Sequence, residues 1–297
     1  EKRGKEMTHY GAIEAGGTKF VCAVGTETGE IAGRLTIPTE TPEETIEKVT
    51  AFFDAYQPEA LGVGSFGPIS LAKERPDFGF ITNTPKLAWQ NYPFIPELEK
   101  RLRIPVSFTT DVNAAALGEI TEGAAQGLNS CLYITVGTGI GAGAVIGGKV
   151  VQSFCHPEMG HILIRRHEKD AFEGSCPYHK DCLEGMASGP ALEKRWGKQG
   201  KDLSAREEVW ELEADYLAQA LMQYILILCP EKIVMGGGVM KQRQLIPLIR
   251  RKLREYVNGY IELPELDGYV VPPGLGDDAG ITGALALAAR GLVKEEK

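Results

Sequence analysis

Apolar residues in this chain come in short runs that stop at glycine. Leu132-Tyr133-Ile134-Thr135-Val136 reads as a buried strand. It ends at Gly137-Thr138-Gly139, passes through Ile140-Gly141-Ala142-Gly143 and resumes as Ala144-Val145-Ile146, the pattern of a hairpin with a glycine tip. The same layout occurs earlier, where Gly11-Ala12-Ile13-Glu14-Ala15 meets Gly16-Gly17-Thr18-Lys19 and returns as Phe20-Val21-Cys22-Ala23-Val24. A bare glycine tip exposes backbone N–H groups that an anion can approach closely, although one such tip on its own often only turns the chain. Two similar hairpins far apart predict a duplicated domain, with a nucleotide held in the cleft between the copies.

The first copy continues with a strand over Ile31–Ile37, then a helix start in which Thr41 is the N-cap, Pro42 the first helical residue and Glu44 the capping-box partner. Ile46, Val49, Phe52 and Phe53 give that helix one apolar face, and Ala60–Gly64 is a further strand that runs into Ser65-Phe66-Gly67-Pro68. Residues 71–96 lack periodicity and read as a long loop, in which Asn83–Trp89 lines a polar pocket or merely covers the surface. Ile104–Thr110 is a strand, and the alanine-rich helix after it begins at Asp111. Asp111 therefore serves as a helix cap or as a general base at the sheet edge; position alone favours the cap.

In the second half, Ser188 caps a helix and residues 207–229 form a long amphipathic one. Lys232–Met235 is a strand ending in Gly236-Gly237-Gly238-Val239-Met240, a turn that suits a flat ligand or a plain strand-to-helix connection. A basic amphipathic helix with a solvated face spans residues 242–257, and a small-residue helix, Ile281–Ala289, is placed to return to the first domain. Cys176-Pro-Tyr-His179-Lys-Asp-Cys182, with His161 upstream, supplies two sulfur and two nitrogen donors, a set suited to tetrahedral structural zinc. His156 and His167 compete with His161 for the fourth position.

Composition narrows the reading. The chain has 297 residues and a formal charge of −8, so a nucleic-acid partner is not favoured. No apolar run is long enough to span a bilayer. Residues 1–6 are charged and no apolar leader follows them, so a cytoplasmic location is expected; Met7 reads as the native start. Six cysteines in a chain of this length do not make a disulfide scaffold. No Gly-x-x-x-x-Gly-Lys-[Ser/Thr] is present and the Gly139-x-Gly141-x-Gly143 spacing is not Gly-x-Gly-x-x-Gly, which argues against P-loop and dinucleotide folds.

From Tyr10 to Arg290 these motifs resemble the ROK family of sugar kinases, of the actin/hexokinase-like superfamily, and within it the zinc-containing fructokinases. Glucose-specific relatives usually have Asp where this chain has Glu14, a third cysteine where it has His179, and Asn where it has Thr110. The resemblance implies an α/β fold of two duplicated ribonuclease H-like domains: residues 7–118, completed by helix 279–293, and residues 119–278, with a zinc-binding insertion at 156–185. It implies ATP-dependent phosphorylation of a hexose primary hydroxyl, most simply D-fructose to fructose 6-phosphate, with glucose, mannose or N-acetylglucosamine as alternative substrates and a sugar-sensing regulator as the remote one. Asp111 becomes the base. Gly16, Gly17, Thr18 and Lys19 form one phosphate turn, and Gly137, Thr138 and Gly139 the other. Pro190, Gly236, Gly237, Gly238, Val239 and Met240 border the adenosine, while Asn83, Asp111, Glu158, His161 and Glu184 reach the sugar. His161, Cys176, His179 and Cys182 hold zinc, Mg²⁺ travels with ATP, and the assembly is a homodimer.

Overall fold

The computed structural model describes residues 9–295, so the expected start at Met7 lies outside the described residues. β1 (Tyr10–Ala15), β2 (Lys19–Gly25) and β3 (Ile31–Pro38) form an antiparallel meander. α1 (Pro42–Tyr56) crosses to β4 (Leu61–Ser65), which pairs parallel to β1. The predicted capping box is formed: Thr41 Oγ1 accepts from the Glu44 amide, and the Glu44 carboxylate accepts from the Thr41 amide. Ile46, Val49 and Phe53 are buried beneath the helix. α2 (Phe94–Leu102) then leads to β5 (Val106–Thr110), parallel to β4, giving the order β3-β2-β1-β4-β5.

The stretch read as loop over 71–96 is more ordered than its pattern suggested. A single 3₁₀ turn at Leu87–Trp89 buries Trp89 to 1% exposure, among Phe20, Phe66, Tyr92 and Phe94, and its indole N–H donates to Glu40 O. α2 begins within that stretch. Its nine residues bury only Phe94, Ile95 and Leu98, too short a stripe to announce a helix.

α3 (Asp111–Thr121) carries the chain to β6 (Cys131–Val136), β7 (Ile140–Ile146) and β8 (Lys149–Val150), a second antiparallel meander. After an excursion come α4 (Leu183–Ala187), α5 (Gly189–Trp196) and α6 (Glu207–Leu228), then β9 (Lys232–Gly236), parallel to β6. Ser188 caps α5 by accepting from the Ala191 amide, as expected, but α4 just before it has five residues and no periodicity to reveal it. α7 (Leu245–Val257) starts after a turn at Gln242 and buries Leu245, Ile249, Leu253 and Val257, leaving its arginines outward or half-buried. α8 (Leu266–Tyr269), β10 (Val270–Val271) and α9 (Ala279–Glu295) complete the chain. The second sheet runs β8-β7-β6-β9-β10. Its order and strand directions repeat those of the first, so the fold is the expected pair of ribonuclease H-like α/β units of the actin/hexokinase type.

α3 and α9 join the halves. α3 packs on β6 and β7, and α9 on β1 and β4. Where the helices cross, main chain meets main chain: a Cβ on Gly283 would lie 1.6 Å from Ala114 O, and one on Gly118 would lie 2.1 Å from Ala279 O. The start of α3 rests equally closely on β7, where a Cβ on Gly143 would fall 2.2 Å from Val112 O. Among the described residues no helix is long and apolar enough to cross a membrane.

Candidate active site and metal centre

In open α/β sheets ligands gather at the carboxyl ends of parallel strands. Here β1, β4 and β5 end at Ala15, Ser65 and Thr110, and β6 and β9 end at Val136 and Gly236. The first glycine turn is held by Gly16 N–H donating to Lys19 O and by Thr39, which donates from Oγ1 to Gly16 O and from its amide to Thr18 O. The described residues make no hydrogen bond to the amides of Gly17 and Thr18, which are left for a ligand. The second turn is tied to the helix that carries Pro190, because Gly189 N–H donates to Gly137 O at 2.7 Å. The third lies against the end of β6: Gly237 has φ +95°, and a Cβ there would sit 2.4 Å from Val136 O. Gly137–Gly139, Pro190 and Gly236–Met240 are thus neighbours.

Asp111 is the first residue of α3 and does not cap it. The cap is Thr110, whose Oγ1 accepts from the Asn113 amide at 3.3 Å, which corrects the positional expectation. α3 begins one residue earlier than a cap at Asp111 would require, so the carboxylate is released from capping and accepts instead from Val112 N–H at 2.8 Å. Burial raises the Asp111 pKa, backbone amides oppose it, Glu158 adds to it, and the group comes to about 6. Glu14, whose role the sequence left unassigned, is the penultimate residue of β1, its carboxylate against Gly280 at the start of α9. Burial, then the charge of Asp111, push it up to about 7, against the pull of Lys19 and Arg34. A strand position that points inward just before a glycine turn was the signal for it. Because its folded pKa is raised, the stability it lends is full below its ordinary 4.5 and lost as pH rises through about 7. Glu14→Gln is therefore expected to raise Tm at pH 8 by about 2–4 °C, what ~1 kcal/mol gives in a protein of this size, and to leave it unchanged at pH 4 in paired thermal scans.

Glu158 lies on the open side of the cleft. Partial enclosure raises its carboxyl pKa, His161 lowers it and Glu184 raises it. Glu184, on α4, accepts from Ile140 N–H at 2.9 Å, next to Gly139, and its other oxygen is 3.9 Å from His161 Nε2. Asp111, Glu158, His161 and Glu184 are therefore brought together. Asn83 is not: its side chain is exposed and accepts from Gln90 within its own loop.

His161, Cys176, His179 and Cys182 converge, with one donor atom from each lying within 4.8 Å of all the others. His161 Nδ1 is 3.7 Å from Cys176 Sγ and 3.5 Å from Cys182 Sγ, and His179 Nδ1 is 3.8 Å from Cys176 Sγ. Tetrahedral zinc, with bonds of about 2.3 Å to sulfur and about 2.0 Å to nitrogen, spaces such atoms about 3.6 Å apart, so the donors fit that ion. His179 N–H also points at Cys176 Sγ, as an amide does toward a thiolate. The competing histidines are engaged elsewhere. His167 Nδ1 accepts from Lys169 N–H in its own turn. His156 is buried beneath Asp111, its Nδ1 3.4 Å from Thr110 Oγ1 and 3.3 Å from Asn113 Nδ2, and burial holds its pKa down to about 4. It is a neutral support for the start of α3, a role that its proximity to the cysteines concealed.

Residues 10–291 match the ROK family. Over 282 residues the chain is 48% identical to the fructokinase of Pediococcus pentosaceus, covering 95% of this chain and 98% of that one. Among solved structures, the ROK hexokinase of Thermus thermophilus superposes with TM-score 0.82 at 28% identity, covering 97% and 99% of the two chains. The ROK family glucokinase of Streptomyces griseus, solved with glucose and AMPPNP, gives TM-score 0.71 at 26% identity over 95% and 99%.

Proposed function

The chain belongs to the ROK family, and from that membership we propose that it is an ATP-dependent fructokinase that makes fructose 6-phosphate, with Asp111 as its general base. Sequence likeness favours fructose: identity is 48% with the Pediococcus pentosaceus fructokinase and 26% with the Streptomyces griseus glucokinase over nearly the whole of each chain. The observation that carries the mechanism is the place of Asp111, at the first turn of α3 on the same sheet edge as the open amides of Gly17 and Thr18.

Phosphoryl transfer needs in-line positioning and neutralisation of charge more than covalent chemistry. The two glycine turns hold the triphosphate from opposite halves, and Pro190 with Gly236–Met240 forms the wall for the base. Mg²⁺ bound with ATP would supply the charge neutralisation that its phosphates need. Glu158, Glu184 and His161 orient the sugar hydroxyls; Asn83, turned to Gln90 within its own loop, takes no part. Asp111, partly buried and raised to about 6, takes the proton of the primary hydroxyl as it attacks. Zinc at His161, Cys176, His179 and Cys182 would have no open position. Its part is to fix the loop whose His161 presents its other nitrogen to Glu184. An ADP-release assay across fructose, glucose, mannose and N-acetylglucosamine tests the assignment. The highest kcat/KM is expected with fructose, and a higher value with glucose would replace the substrate.

A further inference from the structure

The loop of Asn83–Trp89 holds one more group that the mechanism above leaves unused. Lys86 reaches over the first glycine turn: apart from Gly17's own chain neighbours, its Cε is the one heavy atom of the described residues within 4 Å of the place a Cβ on Gly17 would occupy, at 3.8 Å. The backbone beneath it is fixed. Lys86 N–H donates to Thr84 Oγ1, Lys86 O accepts from the Trp89 amide at 2.8 Å, and Trp89 is sealed in the aromatic core. The side chain is half-buried, and among the described residues its ammonium has no ion-pair or hydrogen-bond partner. Lys19, in the same turn as Gly17, is exposed and acts on Glu14. A positioned cation with no ion-pair partner among the described residues, beside a turn whose amides no described residue uses, is the complement of a phosphate.

We propose that Lys86 binds the outermost phosphate of the nucleotide at Gly17 and stabilises the phosphoryl group during transfer. The inference rests on the kinase reading of the same site. In the step, the bond from the sugar oxygen to the γ-phosphorus forms. The bond from that phosphorus to the β–γ bridging oxygen breaks, and ADP leaves with the electron pair. The hydroxyl proton goes to Asp111, and Lys86 keeps its proton and its charge throughout.

The test compares wild type, Lys86→Met and Lys86→Arg by steady-state kinetics with fructose and ATP, and by calorimetric binding of ADP and AMPPNP. Lys86→Met is expected to lower kcat about 10²-fold, the loss typical of removing one charge-stabilising donor, with fructose KM within about 3-fold. It is expected to weaken AMPPNP about 10-fold and ADP by less than 2-fold, because ADP lacks the phosphate in question. Lys86→Arg, which keeps the charge, is expected to restore most of the preference for AMPPNP. Unchanged kcat in Lys86→Met, equal weakening of ADP and AMPPNP, or a defect confined to fructose KM would overturn the inference. Wild type that releases no ADP with any hexose would instead overturn the kinase reading.

Discussion

Asp111→Asn is expected to lower kcat by about 10²–10⁴-fold, the range a general base contributes, while fructose binds within a few-fold of wild type. The amide is the same size as the carboxylate, and its oxygen still accepts from the Val112 amide, so the start of α3 keeps its shape. Thr110 holds the cap in either case, and His156 supports it from below. Only the capacity to take a proton is removed. In the wild-type enzyme, kcat/KM is expected to fall as pH drops through about 6, because burial has raised the Asp111 carboxyl and the base is lost once it is protonated. Glu14, raised to about 7 beside it, couples to the same titration, so the observed midpoint belongs to the pair. Pre-steady-state turnover, fructose binding by calorimetry and a pH series on both proteins check this. Near-wild-type turnover by the variant would remove Asp111 from the chemistry.

The second large effect is expected at the metal centre. Freshly purified protein should carry about one zinc per chain, and Cys182→Ser should carry none. A closed four-ligand site contributes on the order of 10 kcal/mol, comparable with the whole stability of an ordinary domain. Removing it should therefore unfold the segment from Ile162 to Leu183 rather than merely loosen it. Cys182 has no exposed surface, and its neighbour Leu183 donates its amide to Ile162 O, so the cluster and the start of α4 melt together. α4 carries Glu184, which is bonded to Ile140 beside the second glycine turn. Activity should then fall with the metal, and zinc should restore it to chelated wild type but not to the variant. Elemental analysis, limited proteolysis and kcat/KM give the three readings. A metal-free enzyme of full activity would show that the four donors meet without an ion.

The sequence carried more of the fold than of the site. Its two glycine hairpins, the Thr41–Glu44 box and the long helix after Glu207 each depend on neighbours in the chain, so local pattern was enough to find them. α2 and α4 escaped notice because short helices held by tertiary contacts have too few turns to show a period. Thr110 and Asp111 are both good caps, and only the residue at which α3 begins chooses between them. His161 was already the expected fourth donor, and what three dimensions add is the reason its competitor is out of reach: His156 faces α3. Lys86 meets Gly17 across a separation in sequence that no motif spans.

The meeting of α3 with α9 has a consequence for how this enzyme tolerates change. Gly118 and Gly283 bring the two backbones into direct contact, so the spacing of α3 and α9 at this crossing is set by peptide atoms. Substitutions elsewhere in the core can be absorbed by neighbouring rotamers, but a single methyl at either glycine has nothing soft to push against. A side chain at Gly118 or Gly283 would therefore cost more than most substitutions in the walls of the cleft.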